Sequence, residues 1–72
     1  MEKKIYLIKF DNGEEYDDYE EFTYSYCYSD LARAEQEIKK LEKDKKLFEE
    51  EYLFRNADDI NIWYEQVTLI EK

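Results

Sequence analysis

The chain of 72 residues carries twenty acidic and eleven basic side chains, no histidine, one cysteine and one glycine, for a net charge of −9. So short a chain supports one small domain, read as residues 1–72 without repeat or linker, and its 43 % apolar residues argue against a disordered acidic tail. The charge argues against direct binding to nucleic acid or anionic membrane, which needs a basic footprint, and the lone Cys27 rules out an internal disulfide.

Residues 4–10, KIYLIKF, are β-branched and aromatic. Alternation sets Tyr6, Ile8 and Phe10 on one face and Ile5 and Leu7 on the other, so the stretch reads as a central strand, apolar on both sides. Asp11, Asn12 and Gly13 then supply turn chemistry, with the glycine free to take positive φ.

Residues 11–21, DNGEEYDDYEE, hold seven carboxylates and no base. Residues 20–28, EEFTYSYCY, alternate again, with Phe22, Tyr24, Tyr26 and Tyr28 on one face and Thr23, Ser25 and Cys27 on the other. The two strands form an antiparallel hairpin whose acidic connection exceeds the usual two to five residues, and long connections of that kind often carry function. Cys27 reads as a small, buried or half-buried packing residue.

Ser29 or Asp30 is the N-cap of the helix that follows. Leu31, Ala34, Ile38, Leu41, Phe48 and Tyr52 share one face of it at 3.6-residue spacing. Glu35 with Lys39, Glu42 with Lys46 and Lys45 with Glu49 are charge pairs four apart. Position 45, where an apolar residue is due, is Lys, so the helix kinks, ends early or restarts near Leu47. Asn56 to Asp59 reads as a loop, and residues 60–70, INIWYEQVTLI, as a last strand. The expected fold is α+β: about three antiparallel strands with one long helix packed on one face in a two-layer arrangement.

The order IYLIKF, DDYEE, FTYSYCYSD, ARAEQEIKKLEK and IWYEQVTLIEK resembles short acidic proteins of bacteria and their phages, in which an acidic "YDDYE"-like stretch and an aromatic strand lead into a helix faced as here by Ala34, Ile38 and Leu41. The resemblance implies a β-hairpin, helix, strand fold, fits a phage origin with an anti-defence (anti-CRISPR-like) inhibitor role, and brings no catalytic residue.

Enzymatic chemistry finds little support in the residues. Without histidine the commonest general base is missing, and one glycine cannot build a phosphate loop. One cysteine is too few soft ligands for zinc, and the acidic run departs from the spacing of a calcium loop, so no metal or cofactor is expected. No apolar run reaches the roughly 18 residues of a membrane span, and the start lacks a signal peptide's apolar core. The expected setting is the cytoplasm, that of the host cell for a phage-encoded chain.

What remains is binding. In an extended chain alternate side chains lie roughly 6.6 Å apart, close to two phosphate steps of roughly 3.4 Å. Carboxylates at that spacing can mimic nucleic acid and occupy the basic groove of a nuclease or another nucleic-acid-handling or defence protein. Glu14, Glu15, Asp17, Asp18, Glu20 and Glu21 supply the charge, with Tyr16 and Tyr19 as aromatic anchors, and Glu49, Glu50, Glu51, Asp58 and Asp59 form a second acidic group. The other reading is a homo-oligomeric structural or assembly protein, a homodimer for example, that meets its own kind through the aromatic strand face or the helix. The tyrosines of the run decide its character: packed inward they shape it, and pointing out they leave it loose.

Overall fold

The computed structural model describes residues 2–70. Three antiparallel strands, β1 (Glu2–Asp11), β2 (Glu21–Tyr28) and β3 (Ile62–Ile70), form one sheet in the order β2-β1-β3, and α1 (Leu31–Lys43) connects β2 toward β3. The fold is α+β. The strand that the sequence marks as apolar on both sides is the central one, and its pairing with β3 runs unbroken from Glu2↔Ile70 to Phe10↔Ile62.

One face of the sheet builds the core. Ile8 and Phe10 of β1 meet Ile38 and Leu41 of α1, and Phe22, Tyr24, Tyr28 and Ile62 pack around them. The opposite face carries Ile5 and Leu7 of β1, Cys27 of β2 and Val67 and Leu69 of β3, which the register places side by side. None of these joins the core cluster. Cys27 is exposed rather than a packing residue, because the face it occupies is uncovered.

The aromatic strip of β2 is broken as well. Opposite Leu7 to Lys9 the partner runs from Cys27 to Thr23, so Tyr24, Ser25 and Tyr26 together face Ile8. Such an irregularity bends the strand and re-aims side chains. Tyr26 is left 64 % exposed, its ring edge-on to Tyr24, while the other three aromatics pack against the core. Phe22, Tyr24 and Tyr28 are therefore half-buried against the core, and Tyr26 is the member of the strip turned to solvent.

The helix begins at Asp30, whose side chain accepts from the Ala32 N–H at 3.0 Å. Ala34, Ile38 and Leu41 are its buried face, and Lys40 and Lys43 suit the negative end of its dipole. It stops at Lys43, short of the long helix that the spacing out to Tyr52 suggests. Asp44 turns extended and its carboxylate takes the Lys46 N–H at 3.1 Å, a local bond that competes with helix continuation. A wide turn over Leu47–Glu51 follows, closed by the Tyr52 N–H on the Leu47 carbonyl. Of the pairs four apart, Glu42 with Lys46 straddles this break; among the described residues the ion pairs are instead Lys9 with Glu65 and Arg55 with Glu14.

The break has a packing reason. Leaving the helix lets Phe48, Tyr52 and Phe54 surround Phe10, with ring centroids 4.9, 5.1 and 6.2 Å away, while Phe22 stacks on it at 5.7 Å. Aromatic pairs at such distances contribute about 0.5–1.5 kcal/mol each beyond the area they bury. A straight helix could present Phe48 and Tyr52 but not Phe54 to the same ring. β3 begins at Ile62 rather than residue 60, although Ile60 is buried in the core just before it.

Candidate functional site

The acidic connection between β1 and β2 is ordered, and two residues that bear none of its exposed charge order it. Asp11 is 3 % exposed. One of its carboxylate oxygens, Oδ1, accepts from the Gly13 and Asn61 backbone N–H groups at 3.0 Å each, and Oδ2 accepts from Asn61 Nδ2 at 3.0 Å. Asn12 works inside the loop. Its Oδ1 accepts from the N–H groups of Glu14 and Glu20, its Nδ2 donates to the Asp18 carbonyl at 2.7 Å, and its own N–H donates to the Glu20 carbonyl. An Asn side chain satisfying backbone groups in this way does what a regular turn would otherwise do.

Gly13 has φ 73°, and a Cβ there would run into the Asn56 carbonyl oxygen and lie 3.2 Å from its carbon. The close approach docks the loop onto the segment before β3. Glu14 fastens it: Oε1 accepts from Asn56 Nδ2 at 3.0 Å and pairs with Arg55 at 3.3 Å. Glu14 is thus a structural tie, with its side chain 17 % exposed, whereas Glu15, Asp17, Asp18, Glu20 and Glu21 are all exposed.

Tyr16 and Tyr19 both point outward. Tyr16 opens a short 3-10 turn over Tyr16–Asp18 at φ 58° and is 91 % exposed. This part of the run is therefore not the extended chain whose alternate side chains would match phosphate steps; the carboxylates are presented from a folded loop instead. Tyr19 is 43 % exposed and donates its hydroxyl to Glu21 Oε2 at 2.7 Å, a bond to a carboxylate that pushes the phenol up to about 12. The expectation that outward tyrosines mean a loose run does not hold, since Asp11 and Asn12 shape it without them.

Three of the five residues of the second acidic group lie at the same end of the molecule. Glu49, Asp58 and Asp59 share a cleft of about 270 Å³ with Arg55 and Asn56, the residues that hold Glu14. On the other side of Arg55, Asn12, Glu14 and Asp18 line a cleft of about 240 Å³ together with Leu53. Leu53, like Tyr16, combines a left-handed backbone, φ 57°, with high exposure, 74 %. For a non-glycine residue that conformation costs about 1–2 kcal/mol. Two large side chains are therefore held out to water on unfavourable backbone, flanked by carboxylates. Neither Leu53 nor the ties Asn12, Arg55 and Asn56 stand out as site residues in the sequence; only the Asn12-Gly13 dipeptide carries a local signal, as turn chemistry.

Among the described residues no group of three or more acidic or cysteine side chains is arranged to hold a metal ion, despite the density of acid. No helix of the described residues is long and apolar enough to cross a membrane. Comparison with protein-family models, with curated proteins and with solved structures finds no match to this chain.

Proposed function

We propose that the chain is a non-enzymatic binding protein whose acidic end occupies the basic groove of a nucleic-acid-handling or defence protein, in the place of nucleic acid. The observation that supports this most is the pairing of order with strain. Asp11 and Asn12 fix the loop, and Tyr16 and Leu53 stand 91 % and 74 % exposed in left-handed backbone beside its carboxylates. Strained backbone persists where the surroundings enforce it, and it concentrates at functional positions. Ordered carboxylates lose little entropy on docking, and large anchors at the centre of a charged patch carry most of the affinity in interfaces. The setting is the cytoplasm, and an anti-defence inhibitor of a nuclease is the special case that the resemblance to phage proteins favours.

The test is inhibition of DNA cleavage or DNA binding across a panel of nucleases and other basic nucleic-acid-binding proteins. The native chain inhibits at least one member. Replacing Asp17, Asp18, Glu20 and Glu21 by Asn and Gln weakens inhibition, and so does salt near 1 M, where the Debye length falls to roughly 3 Å. Tyr16→Gly removes an anchor and relieves the left-handed strain together, so binding falls while stability holds or rises. Inhibition that persisted in the neutralised variant and in high salt would refute the mimicry.

A further inference from the structure

We infer that the free edge of β3 is a docking surface for a second copy of this chain, the two β3 strands pairing antiparallel about a two-fold axis at Gln66. By strand order β3 is an edge, and from Tyr64 to Ile70 every residue is exposed. Its backbone polarity follows from one bond. The Asp11 N–H donates to the Asn61 carbonyl at 3.1 Å, so Asn61 turns its main chain toward β1. The register from there is unbroken, and residues of an antiparallel strand alternate in direction. Trp63, Glu65, Val67 and Leu69 therefore bond to β1, while Ile62, Tyr64, Gln66, Thr68 and Ile70 direct their N–H and C=O groups outward.

Edges of this kind are ordinarily blunted by charge, proline or a bulge, since an open row of donors and acceptors recruits another strand. Here the nine residues IWYEQVTLI carry one charge, in a chain that is 43 % charged. That charge, Glu65, is paired with Lys9 at 3.8 Å. The edge at β2, by contrast, is bent by its irregularity opposite Ile8.

Three features select a second copy as the occupant. Gln66 is the midpoint of Ile62–Ile70 and one of the outward residues, so a two-fold axis there pairs the whole strand with itself. That register sets Trp63 against Leu69 of the second copy, Glu65 against its Val67 and Tyr64 against its Thr68, with no like charges opposed. Finally, β3 starts beside Asp11 at the acidic end and finishes beside Glu2, Lys3 and Lys4. Antiparallel pairing brings the acidic end of each copy toward Lys3 and Lys4 of the other and sends the two acidic ends to opposite poles. The uncovered apolar faces then run on from copy to copy through Ile5, Leu7, Val67 and Leu69.

Sedimentation equilibrium combined with amide exchange by NMR tests the inference on the full chain. The native protein is a dimer whose Tyr64, Gln66, Thr68 and Ile70 amides exchange slowly. Gln66→Pro removes an outward N–H without touching the bonds to β1, and Gln66→Lys opposes like charges across the axis. Both become monomers at concentrations where the native chain is dimeric, with their circular dichroism unchanged. An equimolar mixture of Gln66→Lys and Gln66→Glu recovers the dimer, because opposite charges then meet. A native chain that stays monomeric, a dimer that survives Gln66→Lys, or rapid exchange of those four amides within a dimer overturns the inference.

Discussion

Asp11 is the one buried polar or charged residue among the described residues, and its removal is the sharpest test of how the acidic end is held. Asp11→Ala leaves the Gly13 and Asn61 N–H groups and the Asn61 side-chain amide without their acceptor. Hydrogen bonds to a charged group are worth about 1.5–3 kcal/mol, and an orphaned buried donor costs about 1–3 kcal/mol. Water can reach the Asn61 side chain at this half-buried site, so the three losses do not add in full, and the expected cost is about 3 kcal/mol. For a chain of this length total stability is about 4–11 kcal/mol, so the loss is a large share. At about 4–8 °C per kcal/mol for a domain of this size, the melting temperature falls by about 12–24 °C. Asp11→Asn behaves differently. The amide keeps an oxygen for both backbone N–H groups, and a flip of Asn61 restores the side-chain bond with donor and acceptor exchanged, so the cost drops to about 1 kcal/mol. Urea unfolding followed by Trp63 fluorescence measures both. A loss below about 0.5 kcal/mol for Asp11→Ala, the ordinary range of surface substitutions, would refute the role given to this carboxylate.

Two further outcomes follow from the same geometry. Gly13→Ala combines a left-handed φ with a Cβ against the Asn56 backbone, which cannot swing away as a side chain can, so it destabilises by about 2 kcal/mol or more and frees Glu14 from Asn56; urea unfolding reads the first effect and NMR shifts at Asn56 the second, and a neutral substitution would contradict the docked loop. Tyr24 is raised from 10.0 to about 12 by burial and then by Glu37, to which it donates at 3.2 Å, and Tyr28 is raised by burial and the same carboxylate. The folded state holds these phenols protonated, so the stability that Tyr24 confers is complete below pH 10 and disappears as pH climbs toward 12, and that of Tyr28 is likewise lost at alkaline pH. Glu37→Gln lowers both pKa values without returning them to the ordinary one, since burial persists; a tyrosinate absorbance titration that did not move would disprove the coupling.

How far the sequence discloses this architecture depends on the range of the forces involved. Alternation along KIYLIKF is local, and it identifies the central strand because apolar side chains on both faces need cover from both sides. The spacing of Ala34, Ile38 and Leu41 is likewise local, and the misplaced Lys45 anticipates the break that Asp44 enforces. The irregularity in β2 has no such signal: Phe22 to Tyr28 alternate without interruption, and Tyr26 is expelled only because β1 offers Ile8 alone where β2 offers three residues. Cys27 goes unread for a related reason, since nothing in its neighbours tells which sheet face lacks a cover.

The acidic run shows the same division. Its charge is legible residue by residue, but its order comes from Asp11 with Asn61, 50 positions away, and Glu14 with Asn56, 42 away. Composition classifies such a segment as a solvated loop, because repelling carboxylates gain by spreading apart. These two contacts act against that repulsion, and they are made by the two acids of the run that are least exposed. One carboxylate is withdrawn from water and a second is tied to Arg55, and the five others stay exposed on a fixed backbone, Glu21 among them accepting from the Tyr19 hydroxyl. A chain under selection for stability alone would gain by shortening this connection and by placing glycine at Tyr16 and Leu53. The length, the charge and the two left-handed residues are the features that the proposed docking into a basic groove would use.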